Sequence, residues 1–233
     1  MLARTCLSGV VLARTCLSRL RACTHLSVAN GACKHDTLPQ NPGLSVHSAA
    51  WQVSHAGRRY EATESRYLTG ADFDIESIQV AGDTVWLGDE FGPFVSSATQ
   101  DGRITGVYPT LVDDMVLKGS DSPGISATSV MGKDWTVQRS GGYEGLALQP
   151  GTGLLWAMPE KPMLGEDGKA AGTALNVMAF DPATGKWTGE GFKFALAEGA
   201  TAIGDFNFID DTRALVIERD NGEGDPGLKC AGV

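Results

Sequence analysis

Three stretches decide the fold: DIESIQVAGDTVWLGDEFGP at Asp74–Pro93, YEGLALQPGTGLLWAMPEKP at Tyr143–Pro162 and GDFNFIDDTRALVIERDNG at Gly204–Gly222. Each opens on a carboxylate beside a small or apolar residue, namely Glu76, Glu144 and Asp205. Each then runs through an apolar strand, a turn and a second apolar strand. Each closes on acid: Asp89 and Glu90, then Glu160, then Glu218 and Asp220. The openings lie 68 and 61 residues apart. A strand–turn–strand unit recurring in this way predicts an all-β chain made of successive β-propeller blades, about three to four blades' worth and incomplete as a ring. The first strand of a blade lines the central channel, so the opening acids are expected to converge on one axis.

Outward from these units the pattern persists. Short apolar runs at Ser77–Val80, Thr84–Leu87, Leu146–Leu148, Leu154–Met158, Asn176–Phe180 and Ala214–Ile217 alternate with turn signals such as Asp101-Gly102, Pro150–Gly153, Asp167-Gly168 and Pro182–Gly185. No segment keeps a helical period over a dozen residues, and Thr110–Ser140 reads as a long insertion between strands. Residues 36–66 are polar and aperiodic. Residues 1–50 read as a leader and 51–233 as the domain. The leader holds Cys6, Cys16, Cys23 and Cys33 and the direct repeat LARTCLS at Leu2–Ser8 and Leu12–Ser18, which marks a gene-model artefact rather than a fold. Between Cys33 and Cys230 there is no cysteine, so the domain has neither a disulfide framework nor a zinc ribbon. Arg14, Arg19 and Arg21 interrupt the apolar run that an export signal needs, and no stretch is long and apolar enough for a membrane-spanning helix.

Charge and histidine exclude several functions. Of the 19 Lys and Arg, five lie up to Lys34, which leaves 14 beside all 28 acids in the rest of the chain. Such an acidic body does not track nucleic-acid phosphates and is suited to collecting cations. His25, His35, His47 and His55 all precede Ala56, so the remainder cannot form a Ser-His-Asp triad, a Cys-His pair or a histidine zinc site. Carboxylates remain in quantity, and oxygen ligands suit Ca2+, Mg2+ or Mn2+. Asp101, Asp167, Asp210 and Asp211 read as turn residues. Glu76, Glu144 and Asp205 sit beside apolar strand residues instead, where a carboxylate is costly unless it is paired or bound to metal. Lys161, next to Glu160, and Arg219, between Glu218 and Asp220, are placed either to meet an anionic substrate or to pair with their acidic neighbours.

The motifs DIESI (Asp74–Ile78), GDEFGPF (Gly88–Phe94), GGYEGLAL (Gly141–Leu148), AMPEKP (Ala157–Pro162), DPATGKW (Asp181–Trp187), AIGDF (Ala202–Phe206) and VIERDNGEGD (Val216–Asp225), in this order over about 160 residues, resemble the phytase-like family. That family carries the label "esterase-like activity of phytase". The resemblance implies a secreted or periplasmic β-propeller related to calcium-dependent phytases, acting on phosphate esters. The matching motif acids are Glu76, Asp89, Glu90, Glu144, Glu160, Asp205, Glu218 and Asp220, and these are the candidate metal ligands. Glu76, Glu144, Asp205, Lys161 and Arg219 are the candidate catalytic residues. Family members continue beyond the ERDN motif with strands that close the ring, so the chain reads as a C-terminally truncated member whose last units leave apolar faces uncovered.

The residues together with the resemblance lead to the expectation of metal-dependent hydrolysis, with calcium the ion the resemblance implies, of a small phosphoester or other anionic substrate. A propeller lactonase also uses a channel calcium held by carboxylates. A non-catalytic propeller that binds a sugar or protein over a structural calcium is the alternative from another class.

Overall fold

The computed structural model describes residues 54–55, 58–59, 70–112 and 115–222. The expected leader at 1–50, its cysteines, Cys230 and the chain after Gly222 lie outside the described residues, as does most of the polar run 36–66. Two short strands, β1 (Ser54–His55) and β2 (Arg58–Arg59), pair with each other. A single 3-10 turn at Gly70–Asp72 is the one helical element among the described residues.

The expected all-β architecture is present. Strands β3 (Ile75–Ala81), β4 (Thr84–Asp89), β5 (Phe94–Thr99) and β6 (Ile104–Pro109) form a four-stranded antiparallel meander in chain order. A small hairpin, β7 (Leu111–Val112) with β8 (Met115–Val116), follows. A second four-stranded meander is built from β9 (Tyr143–Leu148), β10 (Leu155–Pro159), β11 (Ala174–Asp181) and β12 (Lys186–Ala195). Strands β13 (Ala202–Phe208) and β14 (Ala214–Arg219) form a third, two-stranded sheet. The three units read from the sequence are thus the first hairpins of three sheets. Strands β5, β6 and β12 lack the apolar pattern that marks the others. β12 is the outermost strand of its sheet and is mostly exposed, carrying Lys, Thr, Glu and Gly; it is held by ladder hydrogen bonds to β11 and by two rings, Trp187 and Phe194, that pack into the cores.

Turn chemistry closes these hairpins. Gly82, at φ 61°, takes the first place of the two-residue β3–β4 loop, where a Cβ would be strained. The carboxylate of Asp181 accepts the Ala183 amide at 2.9 Å and the Thr184 hydroxyl at 2.7 Å at the start of the PATG turn. Asp101, Asp167 and Asp210 likewise accept bonds within their own turns, from Thr99, from the Lys169 amide and from the Thr212 and Arg213 amides. Asp211 reaches further and accepts the Gly151 amide in the β9–β10 loop.

Packing joins the sheets face to face. Trp86 and Val95 of the first sheet meet Tyr143, Leu146, Leu155, Ala157 and Phe180 of the second in one buried cluster. Rings interlock there, with Phe180 centred 5.5 Å from Trp86, 5.0 Å from Tyr108 and 5.2 Å from Trp187. The Trp187 indole N–H donates to the Pro109 carbonyl at 2.7 Å and ties β12 to the end of β6. On its opposite face the second sheet packs Ala147, Met158, Leu175 and Val177 against Ile203, Phe206, Ala214 and Val216 of the third. Period-2 alternation on β10 does this directly, since Leu155 and Ala157 enter one core and Met158 the other. The innermost strands β3 and β13 both pack against β9. The opening strands of all three units therefore lie side by side.

Candidate metal centre

Irregular pairing at the start of each inner strand builds the site. In the β3–β4 pair, Ile75 faces Asp89 and Ser77 faces Gly88, which leaves Glu76 as the extra residue of a bulge. In the β9–β10 pair, Tyr143 faces Pro159 and Gly145 faces Met158, which leaves Glu144 as the extra residue. A bulge bends the strand and re-aims the side chain it carries, a device common beside active sites. Just beyond each bulge the chain is fixed by one backbone bond. The Glu90 amide donates to the Asp74 carbonyl at 2.9 Å, and the Glu160 amide donates to the Gly142 carbonyl at 2.7 Å. Glu76 and Glu144 are therefore equivalent positions, and so are Glu90 and Glu160.

The third sheet keeps this frame with different residues. Ile203 faces Glu218 and Asp205 faces Ile217, so its bulge falls on Gly204, and Ala202 faces Arg219. Relative to the sequence alignment the register moves by one residue. Gly204 takes the place of Glu76 and Glu144, and Arg219 takes the place of Glu90 and Glu160.

Three of these side chains converge. One carboxylate oxygen each from Glu90, Glu144 and Glu160 lies within 4.8 Å of the others. Glu90 and Glu160 are buried and Glu144 is half-buried. Glu160 is gripped from two sides, by Lys161 Nζ at 2.5 Å from Oε2 and by Arg219 Nη2 at Oε1. The same Lys161 ammonium also donates to the Ser140 carbonyl at 2.7 Å. Burial is the largest cause raising the carboxyl of Glu144, which is pushed up to about 8, with the charges of Glu90 and Glu76 adding to it. Burial raises Glu90 as well, while the Ser140 hydroxyl and the Lys161 ammonium oppose the shift. The hydrogen bond between the two carboxyl groups favours the proton on Glu144. Three acids in so small a space are thus kept compatible by one shared proton and two cations.

A glycine makes the convergence possible. A Cβ at Gly142 would overlap the carbonyl oxygen of Glu90, with Glu90 C and Cα both at 2.7 Å. The Gly142 carbonyl also accepts the amides of both Glu144, at 3.0 Å, and Glu160. All three glutamates are arranged around this one residue.

The family model for phytase-like proteins, described as esterase-like activity of phytase, matches residues 28–231. The chain belongs to the phytase-like family. No curated protein and no solved structure matches it. The family match begins at residue 28, N-terminal to the motifs from which the resemblance is read and within the segment read as leader.

In this phytase-like chain the other acids expected at the site have local partners. Asp89 is fully buried and accepts the amides of Asp74 and Gly92, each at 2.7 Å, so it braces the strand end beside Glu90. Burial pushes its carboxyl up to about 7 against those bonds. Asp205 accepts the Phe206 amide at 2.7 Å and the Asn207 side-chain amide at 3.1 Å, and burial raises its carboxyl. Glu218 accepts the Ala197 amide at 3.1 Å and Asp220 the Gly222 amide at 2.8 Å. Glu76 stands near enough for its charge to raise Glu144. Lys161 and Arg219 both pair with Glu160, so Arg219 bridges to another unit rather than to its acidic chain neighbours. Sequence reasoning missed Gly142, Asp74 and Ser140. The paired glycines at 141–142 immediately before the opening strand were the available signal for a close backbone approach. Nothing in the pattern around Ser140 marks it.

Proposed function

We propose that this chain is a metal-dependent hydrolase of phosphate esters whose resident ion is held by Glu90, Glu144 and Glu160. The observation that carries this reading is the convergence of three carboxylates from two structural units beside two cations, Lys161 and Arg219. The donor set is all oxygen, as a hard cation requires. Two ligands on opposite sides of a calcium ion are about 5 Å apart, given calcium–oxygen distances of about 2.3–2.6 Å. Oxygens within 4.8 Å of one another fit that sphere. Calcium is the ion favoured by the family, with magnesium or manganese as the alternatives.

A divalent ion bound there supplies Lewis-acid polarisation of a phosphoryl oxygen and an acidified water. The chain's own residues do the rest. Glu144 gives up the proton it holds against Glu90 and becomes an anionic ligand. Lys161 and Arg219, whose positive charge rests on Glu160, are placed to turn to the phosphoryl oxygens, where Arg offers a bidentate fork. The equivalence of Arg219 with Glu90 and Glu160 supports a polarised site. Two units present acid to a cation, and the third presents a cation to an anion.

The architecture fits the same reading. Side-by-side inner strands, meanders running outward in chain order and face-to-face packing are features of consecutive propeller blades, here two four-stranded blades and the first half of a third. Among the described residues no helix is long and apolar enough to cross a membrane. We place the protein outside the cytoplasm on the family resemblance. The test is phosphate release from phytate and from p-nitrophenyl phosphate with calcium, and its loss in EDTA. Calcium binding without phosphate release refutes hydrolysis of these esters. Turnover of lactones would then identify a propeller lactonase, and inertness to both a binding propeller with a structural ion.

A further inference from the structure

Ser140 is the one non-glycine residue with a positive φ, 43°, among the described residues. A residue with a Cβ takes that conformation at a cost, and the conformation persists only where the surroundings over-determine it. Every polar group of Ser140 is tied to a charged residue. Its N–H donates to Asp121 Oδ2 at 3.2 Å, its carbonyl accepts Lys161 Nζ at 2.7 Å, and its hydroxyl donates to Glu90 Oε2 at 2.5 Å. Asp121 belongs to the long insertion after β8 and also faces Arg139, with Nε 3.6 Å from Oδ1. The insertion therefore ends by pressing one strained serine onto the acidic cluster.

Glycine would satisfy this backbone without strain, so the fold alone does not call for a hydroxyl here. The hydroxyl is used on Glu90. The carbonyl meanwhile takes a hydrogen bond from Lys161, whose ammonium also stands 2.5 Å from Glu160 Oε2.

We propose that Ser140 is the positioning residue of this cation site. Its hydroxyl fixes the Glu90 carboxylate and its carbonyl anchors the Lys161 ammonium beside Glu160, so that Glu90, Glu144 and Glu160 present oxygens to one ion. This role rests on the metal-site reading given above.

The test combines calcium titration by calorimetry with thermal melting of the metal-free full chain. Ser140→Gly removes the hydroxyl and relieves the strain. It is expected to melt at or above the wild-type temperature while losing about tenfold or more in calcium affinity, the range usual for partners of metal ligands. Ser140→Thr keeps the hydroxyl on a branched side chain that suits a positive φ poorly, and is expected to melt lower yet retain the wild-type affinity. If Ser140→Gly binds calcium as tightly as wild type while Glu144→Gln is weakened, the positioning role is overturned and the cation site stands. A loss of affinity in Ser140→Gly matched by a large fall in melting temperature identifies a structural prop and also overturns it. If wild type binds no calcium, or if Glu144→Gln and Glu160→Gln bind it unchanged, the cation site and the positioning role fall together.

Discussion

Replacing Gly142 by alanine tests the centre of the arrangement with one methyl group. The added Cβ would overlap the Glu90 carbonyl oxygen and stand 2.7 Å from Glu90 C and Cα. All three are backbone atoms, so no side chain can swing aside. Either the strand end carrying Glu90 or the segment before β9 has to move. Overpacking of this kind costs about 1–3 kcal/mol. The Gly142 carbonyl accepts the amides of Glu144 at 3.0 Å and Glu160 at 2.7 Å, and a shift that strands one of these buried donors adds about 1–3 kcal/mol. Alanine's stiffer unfolded chain returns up to about 1 kcal/mol. The net loss is about 1–6 kcal/mol, which at roughly 2–4 °C per kcal/mol lowers the melting temperature by about 2–24 °C for a domain of this size. Calcium affinity falls as well, because the displaced backbone carries the cluster's ligands. Gly124→Ala is the control: its nearest neighbour is the flexible Lys118 side chain at 3.4 Å, and it is expected to leave both quantities near wild type. A Gly142→Ala protein with the melting temperature and calcium affinity of wild type would refute the reasoning.

Three further outcomes are expected. The raised carboxyl of Glu144 holds its proton more tightly in the folded than in the unfolded chain, so the metal-free protein loses stability as pH rises from 4.5 to about 8. Glu144→Gln should flatten that part of a chemical-denaturation profile, and identical profiles for the two proteins would count against the buried acid. Gly204→Glu restores a carboxylate at the third bulge, where a Cβ meets only Ile217 Cγ2 at 3.8 Å. It should tighten calcium binding and weaken inhibition by inorganic phosphate, and phosphate inhibition left at the wild-type level would show that this unit is not the anion side. Removal of residues 1–27, which precede the family match, should leave the melting temperature and calcium affinity unchanged, whereas a large drop in either would make that segment part of the fold.

The sequence by itself determined the strand class, the repeated unit and the family. Alternating apolar runs, turn residues and three strand–turn–strand units bounded by acid are local signals, and each survived as the first hairpin of a sheet. The absence of histidine after His55 and the surplus of carboxylate left oxygen as the donor for any metal site in the domain, without any knowledge of contacts. The tertiary structure decided which acids meet. A single extra residue in a strand moves every later side chain to the other face, and a bulge leaves no fixed mark in a short sequence. The alignment therefore matched Asp205 to Glu144, and Glu218 and Asp220 to Glu160, whereas the ladder matches Gly204 and Arg219 to them. Ser140 and Gly142 act through partners that the chain brings from far along its length. Glu90 lies 50 residues before Ser140, and their bond forms only once the first and second sheets pack around Trp86 and Phe180.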